Sequence, residues 1–326
     1  GDLFRRVHRF TAHVFVASII LHGARIFLTG AFRRPRELNY IIGLVLLLLA
    51  TGSAYTGQIL PFDVIAGFTL RITNAFLLSV PYIGPQLANW VFGGEYLTAE
   101  VLYRLYILHV LVFPALIGLS VAIHMAMLVR QQHTQFRDRR VDGRRAVVGV
   151  PMWPWQFVTS TSLVLILLVG ILVLSAAAPW SDIALNGPYL VGHTSNAAQP
   201  DWWLMWIEGA LRILPGLEIN VLGTVISQVF LAGIVMPVVL FAGLLLYPFI
   251  ERRLYPAESR QHVLQHPTDV PLRLGLFTAA ATALILLTIA AANDYLARIM
   301  RLDLETVIWG LRIITLVLPV GFGLLA

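Results

Sequence analysis

The stretch VHRFTAHVFVASIILHGARIFLTG, residues 7 to 30, decides the fold class, because it is apolar enough to cross a membrane and yet contains histidines. His8 and His22 are 14 residues apart, which is within about 40° of four complete helical turns. Both imidazoles therefore lie on one face of the predicted helix, about 21 Å apart along its axis. His13 lies about 140° around the helix from His8, so the helical periodicity excludes it from that face.

A second apolar span, residues 103 to 129, repeats this pattern. His109 and His124 are 15 residues apart, about 60° past four turns, so they also share one face. Ionisable residues at membrane depth are rare and costly, and they indicate a functional site. Because an arginine-rich loop follows both spans, both helices are predicted to run from outside to inside. His8 then faces His109 near the outer surface, and His22 faces His124 near the inner surface.

The composition places the whole chain among membrane proteins. Its 326 residues are 58% hydrophobic and 12% charged, whereas a soluble domain carries about a quarter charged residues. The chain has no cysteine, which excludes a disulfide, an iron-sulfur cluster of its own and covalently attached c-type haem. Any metal must be held by histidine or carboxylate. Neutral imidazole is a good axial ligand for haem iron, so two stacked bis-histidine sites have the geometry that two b-type haems need.

Seven apolar runs are long enough to cross about 30 Å of hydrocarbon. We therefore predict an all-α fold, a polytopic transmembrane helix bundle with spans at residues 7–29, 39–59, 103–129, 156–178, 225–249, 272–294 and 306–326. The long outer loops at 60–102 and 179–224 are rich in Pro, Gly and Trp, and we expect amphipathic segments there that lie on the membrane surface. The predicted regions are a four-span bundle over 1–178, an outer loop over 179–224 and a three-span region over 225–326.

The arginines predict the topology. All 23 basic residues are arginine, and 14 of them lie in or beside the short loops after the first and third spans and around 250–273. These loops are predicted to be cytoplasmic. The polar loop 130–152 is interpreted as a solvated cytoplasmic loop, and the net charge of +6 gives no reason to expect a nucleic acid partner.

These residues together resemble the cytochrome b subunit of cytochrome bc complexes, particularly that of the actinobacterial quinol:cytochrome c reductase. The similarity runs from RRVH through HGARIFLTGAFRRPRE, TGQILPFD, SVPYIGP, WVFGGE and QPDWW to HPTDVPLR. The resemblance implies a cytochrome b-type bundle in the plasma membrane, with an eighth helix ahead of Gly1. It also implies two b-type haems between the first and third visible spans, the outer one on His8 and His109 and the inner one on His22 and His124.

Other residues match positions that surround the haems in this family. Gly43 and Gly57 match glycines where a haem plane passes the helix backbone, an approach that a side chain would block. Arg5, Arg25 and Arg104 match the arginines that pair with haem propionates, and a guanidinium can bind a carboxylate bidentately. Small-residue helix packing and interfacial anchoring are the alternative interpretations of these glycines and arginines.

The segment Pro200-Asp201-Trp202-Trp203 resembles the family motif Pro-Glu-Trp-Tyr, whose acid takes a proton from quinol. The resemblance implies that Asp201 is the catalytic proton acceptor and that Pro200, Trp202 and Trp203 line the quinol pocket. The sequence departs from the motif twice, because aspartate is one methylene shorter and Trp203 lacks the tyrosine hydroxyl. The alternative interpretation makes Asp201 the N-cap of a helix over WWLMWIEGALR. Further walls of the pocket are expected from Pro61, residues 68–90 and Trp206.

The resemblance implies a bifurcated reaction that is coupled to proton translocation. The quinol, which the actinobacterial resemblance implies is menaquinol, gives one electron to a separate Rieske iron-sulfur subunit and one to the outer haem. The second electron passes to the inner haem and reduces quinone near the cytoplasm, where Arg130 and His133 are candidate site residues. The other implied partners are a cytochrome c subunit, a second copy of the complex in a homodimer, a haem-copper oxidase in a supercomplex, and membrane lipids.

Two other functions are compatible with histidines in the membrane. A transporter or proton channel could use them as a relay, but it predicts broken helices or inverted repeats, and the sequence has neither. A diheme b-type anchor of a dehydrogenase or hydrogenase is redox-active without bifurcation. Such anchors have fewer spans and lack the outer PDWW loop.

Overall fold

The computed structural model describes residues 1–94, 100–136, 149–177, 186–191, 199–221, 223–256 and 261–326. The described helices, in chain order, are α1 (Asp2–Leu28), α2 (Glu37–Ile59), α3 (Val64–Leu78), α4 (Gly84–Phe92), α5 (Glu100–Gln131), α6 (Met152–Ala177), α7 (Met205–Ile213), α8 (Gln228–Leu254), α9 (Pro271–Ala290), α10 (Asn293–Met300) and α11 (Leu304–Leu325). Six arginines that contribute to the topology prediction lie outside the described residues: Arg137, Arg139, Arg140, Arg144, Arg145 and Arg260.

Among the described helices, seven are long and apolar enough to cross a membrane: α1, α2, α5, α6, α8, α9 and α11. The seven predicted spans are therefore confirmed, with ends that differ by a few residues. The predicted start at 225 is wrong, because residue 225 belongs to a strand and α8 begins at Gln228. The predicted end at 294 is also wrong. There α9 stops at Ala290, and Asn293 and Asp294 instead bind Arg212 of α7 at 2.9 and 3.3 Å.

The described parts of the outer loops contain short helices and one β-hairpin. Helix α3 begins at the N-cap Asp63, whose buried carboxylate accepts hydrogen bonds from Ala66 N (2.9 Å) and from Asn186 Nδ2 (2.8 Å). The hairpin pairs β1 (Glu218–Val221) with β2 (Thr224–Ser227) in antiparallel register, Glu218 opposite Ser227. The all-α prediction missed it, although both strands are rich in β-branched residues, Ile219 and Val221 in β1 and Thr224, Val225 and Ile226 in β2.

Among the described spanning helices, α5 and α8 contain an internal π-helical turn, at Leu108–Val112 and Leu231–Val235, and Pro114 and Pro237 lie two residues after these turns. The start of α6 is instead interrupted at Trp153, whose φ of −113° and ψ of 133° are extended, just before Pro154. Proline has no N–H to bond the carbonyl four residues earlier, so the helix can widen locally to satisfy its backbone. The prolines thus account for where the helices depart from regular α geometry.

Helix α2 is the scaffold of the N-terminal part of the bundle, because both α1 and α5 pack against it. Between α1 and α5 themselves, the described residues make few close backbone contacts. In the C-terminal part, α9 packs closely against α7 and α11. A Cβ added at Gly209 of α7 would collide with the Leu287 carbonyl of α9, which explains why glycine is needed at this contact.

Buried arginines tie the inner end of the bundle together, the end that is predicted to be cytoplasmic. Arg273 of α9 is fully buried, and its Nε donates to Glu251 Oε2 of α8 at 2.9 Å. Arg36, between α1 and α2, donates to the Gln261 carbonyl at 2.6 Å and to the last carbonyls of α5. Burial lowers the pKa of Arg36, and burial beside Arg273 lowers the pKa of Arg33.

Candidate functional site

The structure brings His8 of α1 and His109 of α5 together at the outer end of the bundle. Their ring centroids are 6.0 Å apart and the rings are inclined by 70°. Nδ1 of His109 lies 2.9 Å from the Ser53 carbonyl, which can only accept, so the imidazole carries its proton on Nδ1. Its Nε2 is therefore the nitrogen with a free lone pair, which is the arrangement of a metal-ligating histidine held by a backbone carbonyl.

The π-helical turn explains the spacing of 15 on the second histidine helix. His109 lies inside the turn Leu108–Val112, and the rest of the helix to His124 is α-helical. A π turn takes up about one extra residue, so 15 residues here span nearly the rotation of 14 in a regular helix. The two helices thus present their histidines in matching registers. The sequence signal that could have revealed this is Pro114, five residues after His109.

His22 and His124 form the corresponding pair at the inner end, close enough to interact electrostatically. Nδ1 of His124 is buried and lies near the Asn39 backbone, but it has no hydrogen-bond partner among the described residues. The parallel course of α1 and α5 thus places one histidine pair near each end of the bundle. The separation along either helix is about 21 Å.

Gly43 and Gly57 of α2 each lie against a candidate ligand, Gly57 at the outer level and Gly43 at the inner level. A Cβ added at Gly57 would overlap the imidazole ring of His109. A Cβ added at Gly43 would lie 3.7 Å from Cε1 of His124, which is ordinary van der Waals contact. Gly57 therefore belongs to the outer pair and Gly43 to the inner pair, and only the outer position sterically requires glycine.

The geometry of the outer pair fits an axial bis-histidine ligand set. Two imidazoles on opposite sides of one metal ion, at roughly 2 Å per bond, place their ring centroids roughly 6 Å apart. Among the described residues, no group of three or more His, Cys, Asp or Glu side chains could hold a metal ion. A haem iron needs only two protein ligands, because the porphyrin supplies the other four nitrogens. The donor set of this chain therefore suits haem.

The three candidate propionate arginines have different surroundings. Arg25 lies one turn after His22 and interacts with it electrostatically. Arg5 pairs with Asp2 at 2.7 Å, where both side chains are about half exposed (54% and 50%). Arg104 donates to the Trp90 carbonyl at the end of α4 and lies 3.7 Å from Glu100. Of these three arginines, only Arg25 interacts with a candidate haem-ligating histidine among the described residues.

The Asp201 carboxylate lies against α1. Its Oδ1 is 3.4 Å from Nη2 of Arg9, and the side chains are only 16% and 26% exposed. Helix α7 begins at Met205 with Leu204 as its N-cap, and no side chain bonds the cap. The N-cap interpretation of Asp201 is therefore wrong, because the carboxylate faces Arg9 rather than the helix N-terminus.

The other residues of the PDWW segment fold around a tight turn. The Leu204 N–H donates to the Asp201 carbonyl at 2.8 Å. Trp203 is buried, and its carbonyl accepts from Trp206 Nε1 at 3.0 Å. Trp202 is 40% exposed, and its Nε1 donates to Nδ1 of His13 at 3.3 Å. Pro200 is half-buried at the start of the turn.

Arg9 and His13 are the residues that sequence reasoning missed at this site. Helical periodicity excludes His13 from the face of His8, and this correctly describes α1. The partners of Arg9 and His13 lie 192 and 189 residues away along the chain, so no local sequence pattern indicates these contacts. The available signal was their own spacing of four residues, which puts two polar side chains on one face of a membrane helix.

The candidate inner quinone residues lie at the end of α5. Arg130 is exposed in the last turn, and His133 is exposed just beyond it. The helix ends at Gln131, and the next residue, Gln132, has a φ of 66° that turns the chain away from the helix axis. The described residues do not bring Arg130 and His133 into a formed pocket with His22 or His124.

Comparison with known proteins gives consistent matches. The model of the family described as "Cytochrome b(N-terminal)/b6/petB" matches residues 13–188. The proteins named "Cytochrome bc1 complex cytochrome b subunit" from Corynebacterium diphtheriae, Mycobacterium leprae and Streptomyces coelicolor are 38%, 37% and 35% identical over 98% of the chain. The chain spans only 59%, 58% and 58% of the lengths of these three relatives.

A solved structure supports the fold. A chain of "Hyperthermophilic respiratory Complex III" aligns with all of this chain and 80% of its own length, with a TM-score of 0.70 and 20% identity. With seven helices able to cross a membrane among the described residues and bacterial relatives of this kind, the chain is a multi-pass protein of the plasma membrane.

Proposed function

The chain belongs to the cytochrome b family, and from this premise we propose that it is the cytochrome b subunit of a respiratory quinol:cytochrome c reductase. The observation that carries the proposal is the pair of stacked histidine sites between two parallel helices, with His8 and His109 6.0 Å apart at the outer one. Family membership implies b-type haem. That there are two haems, one of which His8 and His109 would hold and the other His22 and His124, is part of the proposal.

The outer end of the chain would bind and oxidise the quinol. Asp201 takes a quinol proton, and Trp202 and Trp203 form part of the pocket wall behind Pro200. Haem, when bound at the two histidine pairs, would supply one-electron carriers, so that one electron of each quinol could cross the bilayer. The role of the chain is to present the two histidine pairs about 21 Å apart along the helices, to bind quinol beside the outer pair and to remove its protons.

The quinone is proposed to be menaquinone, and the inner site is proposed to include Arg130 and His133. The electrons that do not cross the membrane need acceptors in other subunits, since the chain has no cysteine to hold an iron-sulfur centre. We accordingly propose a Rieske iron-sulfur subunit and a cytochrome c subunit as partners. A homodimer of the complex and association with a haem-copper oxidase complete the proposed assembly.

The test is steady-state menaquinol:cytochrome c reduction by the purified complex, with and without the substitution Asp201→Asn. The amide keeps the shape of the side chain but cannot take a proton, so turnover should fall by roughly 100-fold while both haems stay bound. Arg301→Gln is a matched control, because Arg301 is exposed at the end of α10. Undiminished turnover of Asp201→Asn would refute the role of Asp201. A diheme anchor without bifurcation would show no cytochrome c reduction coupled to quinol.

A further inference from the structure

We propose that Arg9 and His13 are positioning residues of the outer quinol site, which hold the Asp201 carboxylate and the Trp202 indole against the helix that carries His8 and His22. The inference rests on the proposed function of Asp201. It assigns a role to two side chains on a face of α1 that is turned away from the histidine pairs.

Two contacts carry the inference, and each joins α1 to the PDWW turn. Arg9 Nη2 lies 3.4 Å from Asp201 Oδ1, and Trp202 Nε1 donates to His13 Nδ1 at 3.3 Å. Because Arg9 and His13 share a face of α1, and Asp201 and Trp202 are neighbours in the turn, the four side chains form one cluster. The cluster is partly buried, with Arg9 26% and Asp201 16% exposed. Water therefore screens the ion pair less than on an open surface.

The geometry of α1 explains how one helix can serve two sites. Arg9 and His13 are four residues apart and so share a face. That face lies about 100° to 140° around the helix from His8. The imidazole of His8 thus points toward α5, while Arg9 and His13 point toward the outer loop. The helix fixes the distance between the outer histidine pair and the carboxylate.

Each contact has a distinct chemical consequence. Arg9 contacts Oδ1 of Asp201, so Oδ2 is the oxygen free of Arg9 and able to take the proton when the quinol O–H bond breaks. The electrons leave to the acceptors of the proposed reaction, and Arg9 itself exchanges no proton. Because His13 accepts the indole N–H through Nδ1, its own proton is on Nε2. The contact fixes the orientation of Trp202 in the pocket wall.

These roles predict a division between kcat and KM. Arg9→Gln removes the charge that holds the proton acceptor, so kcat should fall roughly tenfold with little change in KM. His13→Leu removes the acceptor for Trp202, so KM for quinol should rise roughly fivefold with a smaller effect on kcat. Arg9→Lys and His13→Gln keep a cation and an acceptor, and each should recover part of the loss.

The control is Arg6→Gln. Arg6 is on the same helix one turn earlier and pairs with Asp2 at 2.6 Å, so this change removes an equal charge without touching Asp201. The haem content of every variant is measured by its reduced-minus-oxidised absorption spectrum in the intact complex, as a readout besides activity. Retention of both haems is expected throughout. Loss of haem in Arg9→Gln would overturn the inference, since Arg9 would then serve the haem.

A double-mutant cycle of Arg9→Gln with Asp201→Asn is the decisive measurement. If Arg9 acts through Asp201, Arg9→Gln should slow the Asp201→Asn complex by less than twofold. A full tenfold loss in both backgrounds would overturn the inference and leave the proposed function intact. If Asp201→Asn alone turns over normally, the proposed role of Asp201 fails, and the positioning role that depends on it fails too.

Discussion

The outer and inner histidine pairs lie on the same two helices but are built differently. At the outer level His109 lies in a π turn and donates to the Ser53 carbonyl at 2.9 Å. Gly57 leaves no room there for a Cβ. At the inner level His124 lies in regular α-helix, its Nδ1 has no hydrogen bond among the described residues, and Gly43 has ordinary clearance of 3.7 Å.

The chain itself therefore orients the imidazole of His109 at the outer pair. A hydrogen bond to the second nitrogen of a ligating histidine sets its tautomer and ring orientation before any ligand binds. At the inner level Nδ1 of His124 faces the Asn39 backbone without a hydrogen bond of good geometry. The outer pair is thus the more tightly restrained of the two, while the buried pair of Arg273 and Glu251 anchors the loops at the inner end.

The largest expected effect comes from removing one ligand at each level. His109→Leu and His124→Leu should each eliminate one of the two haems and abolish quinol oxidation, because leucine cannot bind iron. The absorption spectrum of the purified complex gives the haem content. His133→Leu, which alters an exposed residue beyond the helix, should retain both haems. Two haems in either ligand variant would break the assignment of the pairs.

The buried ion pair should dominate the stability of the inner end. Glu251→Ala leaves the fully buried Arg273 without its carboxylate partner and should cost about 3–5 kcal/mol. Glu208→Ala removes a more exposed partner, 2.9 Å from Arg212 at the outer end, and should cost about 1 kcal/mol. Thermal unfolding in detergent measures both. Equal losses would contradict the contrast between the two ends.

Alanine substitutions at Gly43 and Gly57 of α2 test the difference between the inner and outer histidine pairs. Gly57→Ala inserts a methyl group into the His109 ring position, and overpacking of this kind costs about 1–3 kcal/mol. Outer haem occupancy should fall accordingly. Gly43→Ala fits in the available space and should leave inner haem occupancy near that of the unmodified chain. Equal haem contents in the two variants would show that the close approach at Gly57 is not functional.

The smallest effect concerns the N-cap of α11, a helix that has no candidate haem ligand. Hydrogen bonds from Thr306 lower the pKa of Asp303. A carboxylate with a lowered folded-state pKa stabilises the protein above its unfolded pKa, and the contribution disappears as the pH falls through the folded value. Asp303→Ala should lower the melting temperature slightly at pH 7 but not at acidic pH, whereas Asp303→Asn retains most of the cap.

Hydropathy and helical periodicity predict the spans well, because lipid forces every spanning segment to satisfy its own backbone as a helix. Those two signals place the seven spans and put His8 with His22, and His109 with His124, on common faces. They cannot predict the π turn at His109, which depends on how Pro114 disturbs the backbone hydrogen bonds. They also cannot predict that Asp201 faces Arg9, because this contact joins residues 192 positions apart and depends on tertiary packing.

We propose that the two histidine pairs each hold one haem. The most direct measurement is the number of b haems per chain in the purified complex, determined from its reduced-minus-oxidised spectrum and the protein concentration. The predicted result is two haems per chain, one lost with His109→Leu and the other with His124→Leu. A single haem, or none, in the unmodified complex would contradict the claim.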